Sequence, residues 1–135
     1  EGQVFVSSGY GAGSQMLKLA VDGKSVSVEQ LWDTKELDNH HGGVILLDGH
    51  IYGTNMKGKW VCLDWKTGEA KWDEKGMGKG AVTFADGLLY GFNESEKKRT
   101  VGLIKPTPDA YPVIIGGRLY LRHGDLLFVY NVKAG

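Results

Sequence analysis

One cysteine stands in this chain, Cys62, so no internal disulfide holds the fold. It sits in an apolar run and reads as a small buried hydrophobe. Proline is scarce too: 3 residues against 21 glycines, in a chain with no collagen-like repeat. That ratio belongs to short strands joined by many tight turns. There is no excess of either charge, since 16 Lys and Arg balance 16 Asp and Glu. A protein held on nucleic acid by phosphate contacts shows a basic surplus, and the one basic run, Lys97-Lys98-Arg99, reads as a solvated loop tip. No apolar stretch approaches the roughly 18 residues that a spanning helix needs. No segment keeps a helical period over eleven or more residues. Neither a Gly-x-Ser-x-Gly elbow nor a His-Glu-x-x-His pair is present.

What the chain does have is a phrase used four times. Gly2-Gln3-Val4-Phe5, Gly49-His50-Ile51-Tyr52, Gly87-Leu88-Leu89-Tyr90 and Gly117-Arg118-Leu119-Tyr120 each combine a turn glycine, one variable residue, an aliphatic and an aromatic. The aromatics stand 47, 38 and 30 residues apart. Repetition of this kind decides architecture before other signals count.

The clearest unit runs over 41–75. An apolar run at 43–47 reads as a strand buried on both faces. Asp48-Gly49 is a two-residue hairpin turn, and 50–55 a second strand. Met56-Lys57-Gly58 turns the chain into a third strand over 59–65. That strand puts Trp60, Cys62 and Asp64 on one face and Val61 and Leu63 on the other. After Lys66-Thr67-Gly68, a polar fourth strand over 69–72 suits a sheet edge. The other units fit the same template with gaps: 3–7, 15–21 and 25–32 are second to fourth strands. First to third strands fall at 81–85, 88–92 and 100–105, and again at 111–115, 118–122 and 126–132.

A lone meander leaves a face bare, so the units must stack on one another. The sequence therefore predicts an all-β chain, a partial β-propeller of three to four antiparallel four-stranded blades. Its blades fall at about 1–36, 37–78, 79–110 and 111–135. Blades run about 40–45 residues, and the short last interval points to a break in the pattern near Ala110.

The run Val61-Cys62-Leu63-Asp64-Trp65-Lys66-Thr67-Gly68-Glu69-Ala70-Lys71-Trp72 resembles the repeat of pyrroloquinoline-quinone-type propellers, aliphatic-x-Leu-Asp-x-x-Thr-Gly-x-x-x-Trp. The resemblance implies that Trp72, and Trp32 one blade earlier, dock between neighbouring blades. It makes Tyr52, Tyr90 and Tyr120 equivalent structural positions in successive second strands. Family rings have seven or eight blades, so it also implies that remaining blades of a longer chain, or other copies, complete the ring. A periplasmic or secreted location is implied by the family alone.

In such a ring the loops that lead into first strands, and those joining second to third strands, open on one face. That face then collects Asn39, His40, His41, Asn55, Met56, Lys57, Lys79, residues 93–99, Arg122 and His123, a rim suited to an anion, a carboxylate or another small ligand. Adjacent histidines on an extended chain point to opposite sides, so His40 and His41 are not expected to share a metal ion. The glycine-rich run at 9–14 fails the dinucleotide-binding spacing at its last position, and the run at 76–81 is followed by a strand and not a helix, so both read as connections. Asp64 and Asp86 read as turn acceptors and not as catalytic carboxylates.

No catalytic constellation follows from these residues. The leading expectation is a non-catalytic module that serves as a scaffold or binds a ligand or protein, without a cofactor. One alternative is a fragment of a quinone-dependent alcohol or polyol dehydrogenase, which needs quinone and Ca²⁺. Here Asn39, Asn55 and Asn93 are the local oxygen donors for the ion. The other is a carbohydrate-binding propeller using exposed aromatics such as Tyr10, Trp60 or Trp65.

Overall fold

The computed structural model of the chain describes residues 2–75, 78–94, 101–109, 112–115, 118–123 and 126–131. For most of residues 112–131 the description covers the strand and not the side chain. Among the described residues the chain is all-β, and every pairing is antiparallel. None of its elements is a helix long and apolar enough to cross a membrane.

The described residues form thirteen strands in four sheets. The first sheet holds β1 (Gln3–Ser8), β2 (Gly13–Asp22) and β3 (Ser25–Thr34). The second holds β4 (Ile45–Leu47), β5 (His50–Thr54), β6 (Lys59–Asp64) and β7 (Ala70–Lys75). The third is β8 (Gly80–Ala85), β9 (Leu88–Asn93) and β10 (Val101–Ile104). The fourth is β11 (Pro112–Ile115), β12 (Arg118–His123) and β13 (Leu126–Asn131). Strands within each sheet follow one another as a meander. Among the described residues the second sheet has all four strands of the template, and the other three have three each, matching the gaps read from the sequence. No closed ring is formed by the described residues.

The turns follow from a few residues. Asp48-Gly49 and Asp86-Gly87 both take positive φ, at 47° and 74° and at 50° and 75°. That pairing matches the twist of a tight hairpin, and Asp and Gly bear it at least cost.

The second sheet lies between the first and the third, and each of its faces fills one core. Ile51, Val61 and Leu63 pack with Met16 and Leu37, flanked by Phe5 and Trp32, on the side of the first sheet. Tyr52, Trp60, Cys62 and Trp72 pack with Leu89 and Ile104 on the side of the third. The alternation of β6 thus sorts its residues between two neighbours. Burial of about 25 cal/mol per Å² of apolar surface on both faces makes this sheet the centre of the stack.

β4 departs from expectation. It is three residues long, and Leu46 is 53% exposed instead of buried. Ile45 and Leu47 face the third sheet, while Leu46 shares a face with its cross-strand partner Ile51, toward the first sheet. Among the described residues β1 is the edge strand of the first sheet. The first sheet also turns Val4, Val6, Val21, Val26 and Val28 to solvent. Their pairing places these residues opposite to Phe5, Met16 and Trp32.

Candidate functional site

Two features of the stack bear on function: a repeated tryptophan dock, and a cluster of polar loops at one end. The dock occurs twice in the same form. Phe5, Met16 and Trp32 sit side by side across the first sheet, and Tyr52, Cys62 and Trp72 do so across the second. The ring centroids of Phe5 and Trp32 are 5.9 Å apart at 48°, those of Tyr52 and Trp72 6.1 Å apart at 48°. The aromatic of the repeated phrase is therefore a wall of the tryptophan's own pocket. In both sheets the register slips by one residue next to the tryptophan, with Leu31 and Lys71 as the extra residues. A bulge re-aims the side chain beside it, and here it turns each indole toward the following sheet.

Each indole N–H then donates to a loop carbonyl of that following sheet. Trp32 Nε1 reaches Trp65 O at 3.1 Å, and Trp72 Nε1 reaches Thr107 O at 2.8 Å. The residues of the 61–72 run divide the work. Asp64 Oδ1 accepts from the N–H groups of Lys66 and Thr67 and from the Thr67 hydroxyl. Desolvation at this turn works to raise the Asp64 carboxyl, but the Thr67 and Lys66 hydrogen bonds outweigh it and hold the group below its ordinary value. Gly68 takes φ 73° directly beneath Trp32, and a Cβ there would collide with the indole ring. Burial pushes the Cys62 thiol up to about 11, with the Tyr52 hydrogen bond as a smaller opposing influence. That is an inert core thiol and not a nucleophile.

The loops at one end of the stack converge on His40. Gly9, in the β1–β2 loop, lies against Asn39, His40 and Met56. Asp38 is buried and accepts from Gly11 N through Oδ2 and from Met56 N through Oδ1. The Tyr10 hydroxyl is 2.9 Å from His40 Nε2, and Tyr10 itself is 83% exposed with φ 59°. A non-glycine residue held in that region costs about 1–2 kcal/mol. His40 Nδ1 is 3.4 Å from Glu94 Oε1. That approach is close enough for an ion pair, but its geometry makes no hydrogen bond, and Nδ1 is buried without another partner. Lys79 Nζ lies 2.8 Å from Glu94 Oε1. Its hydrogen bond is the main cause holding the Glu94 carboxyl below its ordinary value, with a smaller contribution from His40.

His40 and His41 do not splay apart. Their ring centroids are 3.6 Å apart, because the segment from Glu36 to Val44 is loop and not extended strand. Among the described residues no group of three or more His, Cys, Asp and Glu is placed to hold a metal ion.

The rim asparagines are committed elsewhere. Asn39 Nδ2 donates to Gly43 O and Thr54 O, and its N–H donates to Ser7 Oγ. Asn55 Nδ2 donates to Glu36 O, while Oδ1 accepts from Lys57 N and Lys59 N. Both are buried. Asn93 ends β9 and is buried as well. The Lys57 side chain is exposed. Tyr90 is half-buried on β9. Tyr120, Arg122 and His123 lie on β12, and their side chains fall outside the described residues. The basic run at 97–99 and the join at Ala110 also lie outside them.

Of the three aromatics offered for sugar stacking, Tyr10 is exposed and Trp65 half-buried. Trp60 is buried in the core, a correction, and the indole N–H of Trp65 is held by Gln3 Oε1 at 3.0 Å. Reasoning from sequence missed the joining of Tyr10 to His40, which stand 30 residues apart. The positive φ at a solvent-exposed tyrosine between two glycines is its only local trace. No family model and no curated protein matches the chain.

Proposed function

We propose that this chain is a stretch of a pyrroloquinoline-quinone-type propeller and acts as a non-catalytic scaffold, binding a small molecule or a protein at its loop rim. The supporting observation is the tryptophan unit, made twice with matching ring geometry and in both cases addressed to the next sheet. A module whose most specific residues all serve stacking is built for architecture first, and fold likeness alone carries no activity.

The dehydrogenase alternative needs oxygen donors for Ca²⁺. Asn55 spends its side-chain oxygen on the N–H groups of Lys57 and Lys59, and Asn39 is anchored through its amide nitrogen to Gly43 O and Thr54 O. Titration with the quinone and Ca²⁺ decides between the two. The scaffold reading expects no saturable binding and no alcohol-dependent dye reduction. Saturable binding with dye reduction replaces it by the dehydrogenase reading.

The exposed apolar residues of the first sheet, Val4, Val6, Val21, Val26 and Val28, favour further sheets stacked there, from a longer chain or another copy. Sedimentation of the 135 residues is expected to show association. A stable soluble monomer would remove the need for a neighbour. Tyr10 keeps a glycan ligand open, and a glycan array with wild type and Tyr10→Ala tests it.

A further inference from the structure

The loop cluster contains an arrangement that the scaffold role does not use. Tyr10, His40 and Glu94 come from three different sheets' loops and line up as hydroxyl, imidazole and carboxylate. The hydroxyl is 2.9 Å from Nε2, within the range over which a base takes a proton from a nucleophile. Nε2 accepts from Tyr10 only in the tautomer that carries its proton on Nδ1, and Nδ1 is the nitrogen that faces Glu94. Glu94 in turn is tied by Lys79. A hydroxyl within reach of a base, with a carboxylate close to the base's far nitrogen, is the arrangement from which an activated hydroxyl is built.

The surroundings sharpen this. The phenol is open to solvent, while the His40 side chain is only 15% exposed. Nδ1 is fully covered yet lacks a hydrogen bond, so the neutral ring is under-satisfied, and a proton gained at Nε2 turns the Glu94 approach into an ion pair. The groups facing His40 are Tyr10 from the first sheet, His41 from its own loop, and Glu94 with its partner Lys79 from the third. Beneath them Asp38 fixes the Tyr10 loop through Gly11 and the β5–β6 turn through Met56. The backbone at Tyr10 is held at positive φ.

The geometry points to Tyr10 as a base-activated phenol, a site of covalent modification by activated acyl donors. The phenol oxygen attacks the carbonyl carbon of an aryl ester, and its proton passes to His40 Nε2. The bond from that carbon to the aryloxide breaks, and the aryloxide leaves with the electron pair. His40 then releases the proton to solvent, and nothing is oxidised or reduced. The step is stoichiometric and ends at an O-acyl tyrosine, so it adds a modification site to the scaffold without making it a turnover enzyme.

The test uses the full chain with p-nitrophenyl acetate, following release of p-nitrophenolate and locating the acetyl group by peptide mass spectrometry over the six tyrosines. Tyr10 is expected to be acetylated first, with a rate that rises with pH. Removing a general base costs about a hundredfold or more, and His40→Ala is expected to lose that much rate. Added imidazole restores the rate in His40→Ala but not in Tyr10→Phe. Glu94→Gln is expected to lower the rate less and to shift the pH profile. A circular dichroism spectrum like wild type, together with a Cys62 thiol still closed to reagent, shows that each variant is folded. Acetylation of Tyr10 at equal rates in wild type and His40→Ala overturns the proposal. So does an acetyl group found only on His40, His41 or a lysine.

Discussion

The first and second sheets are written in the same strand language and end up in different surroundings. β6 buries four consecutive residues, Trp60, Val61, Cys62 and Leu63, because a sheet stands on each side of it. β2 aligns with it residue for residue through Met16 and Cys62, yet buries only Gly13, Ser14 and Met16. Beyond the bulge it carries Leu19 and Val21 into solvent, Val21 at 74% exposure. Local pattern sets which side chains share a face. The neighbour on that face decides whether they are covered.

The strongest way to break the comparison is to strike the centre. Trp72→Ala removes a buried indole, its ring contact with Tyr52 and its hydrogen bond to Thr107, and is expected to cost about 3–5 kcal/mol in denaturant unfolding. Leu63→Ala is expected to cost about 2–5 kcal/mol by the same measurement. A loss below about 1 kcal/mol for both would mean that the second sheet is not clamped between two neighbours.

Next comes the seam between the sheets. Gly68→Ala forces the Trp32 ring away and strains a positive φ, for an expected loss of about 1–3 kcal/mol. Pairing it with Trp32→Ala sharpens the result. If the ring collision dominates, the double variant loses less than the sum of the single ones.

A smaller effect belongs to Asp64. Its folded-state carboxyl lies below the ordinary value, so the turn's contribution is fully present above the unfolded pKa, about 3.9. It is lost as pH falls through the folded value. Asp64→Asn is expected to lower stability in the neutral range and to flatten the acid limb of a stability-against-pH curve, the two proteins converging at low pH. An unaltered acid limb would show that Asp64 does not anchor the turn.

The smallest effect is expected at the outer hairpin. Val26→Thr replaces an exposed side chain paired with Val21 and should stay within about 0.5 kcal/mol at concentrations low enough to keep the chain unassociated. A larger loss, growing with protein concentration, would reveal a neighbour seated on that face.

Much of this was legible in the sequence. The strands fall within a few residues of their expected places, because Asp-Gly and Thr-Gly turns fix both ends of the hairpins. The division of β6 into two faces also followed from simple alternation. Leu46 did not, since its exposure depends on what stands opposite in another sheet. His40 and His41 were placed apart by treating a loop as extended. The meeting of Tyr10, His40 and Glu94 was invisible because three loops far apart in the chain supply them. The bulges at Leu31 and Lys71 were hidden as well, since a one-residue slip leaves no mark in composition.

The direction of the tryptophan contacts has a further consequence. Each indole reaches forward to the next sheet, so cohesion is a chain of nearest-neighbour couplings and not one undivided core. Opening the first sheet severs one coupling, whereas opening the second severs two. The backbone amides of β5 and β6 should therefore be the slowest to exchange with deuterated solvent, and those at the tip of the β2–β3 hairpin the fastest. A protein assembled this way loosens from its ends inward, one sheet at a time.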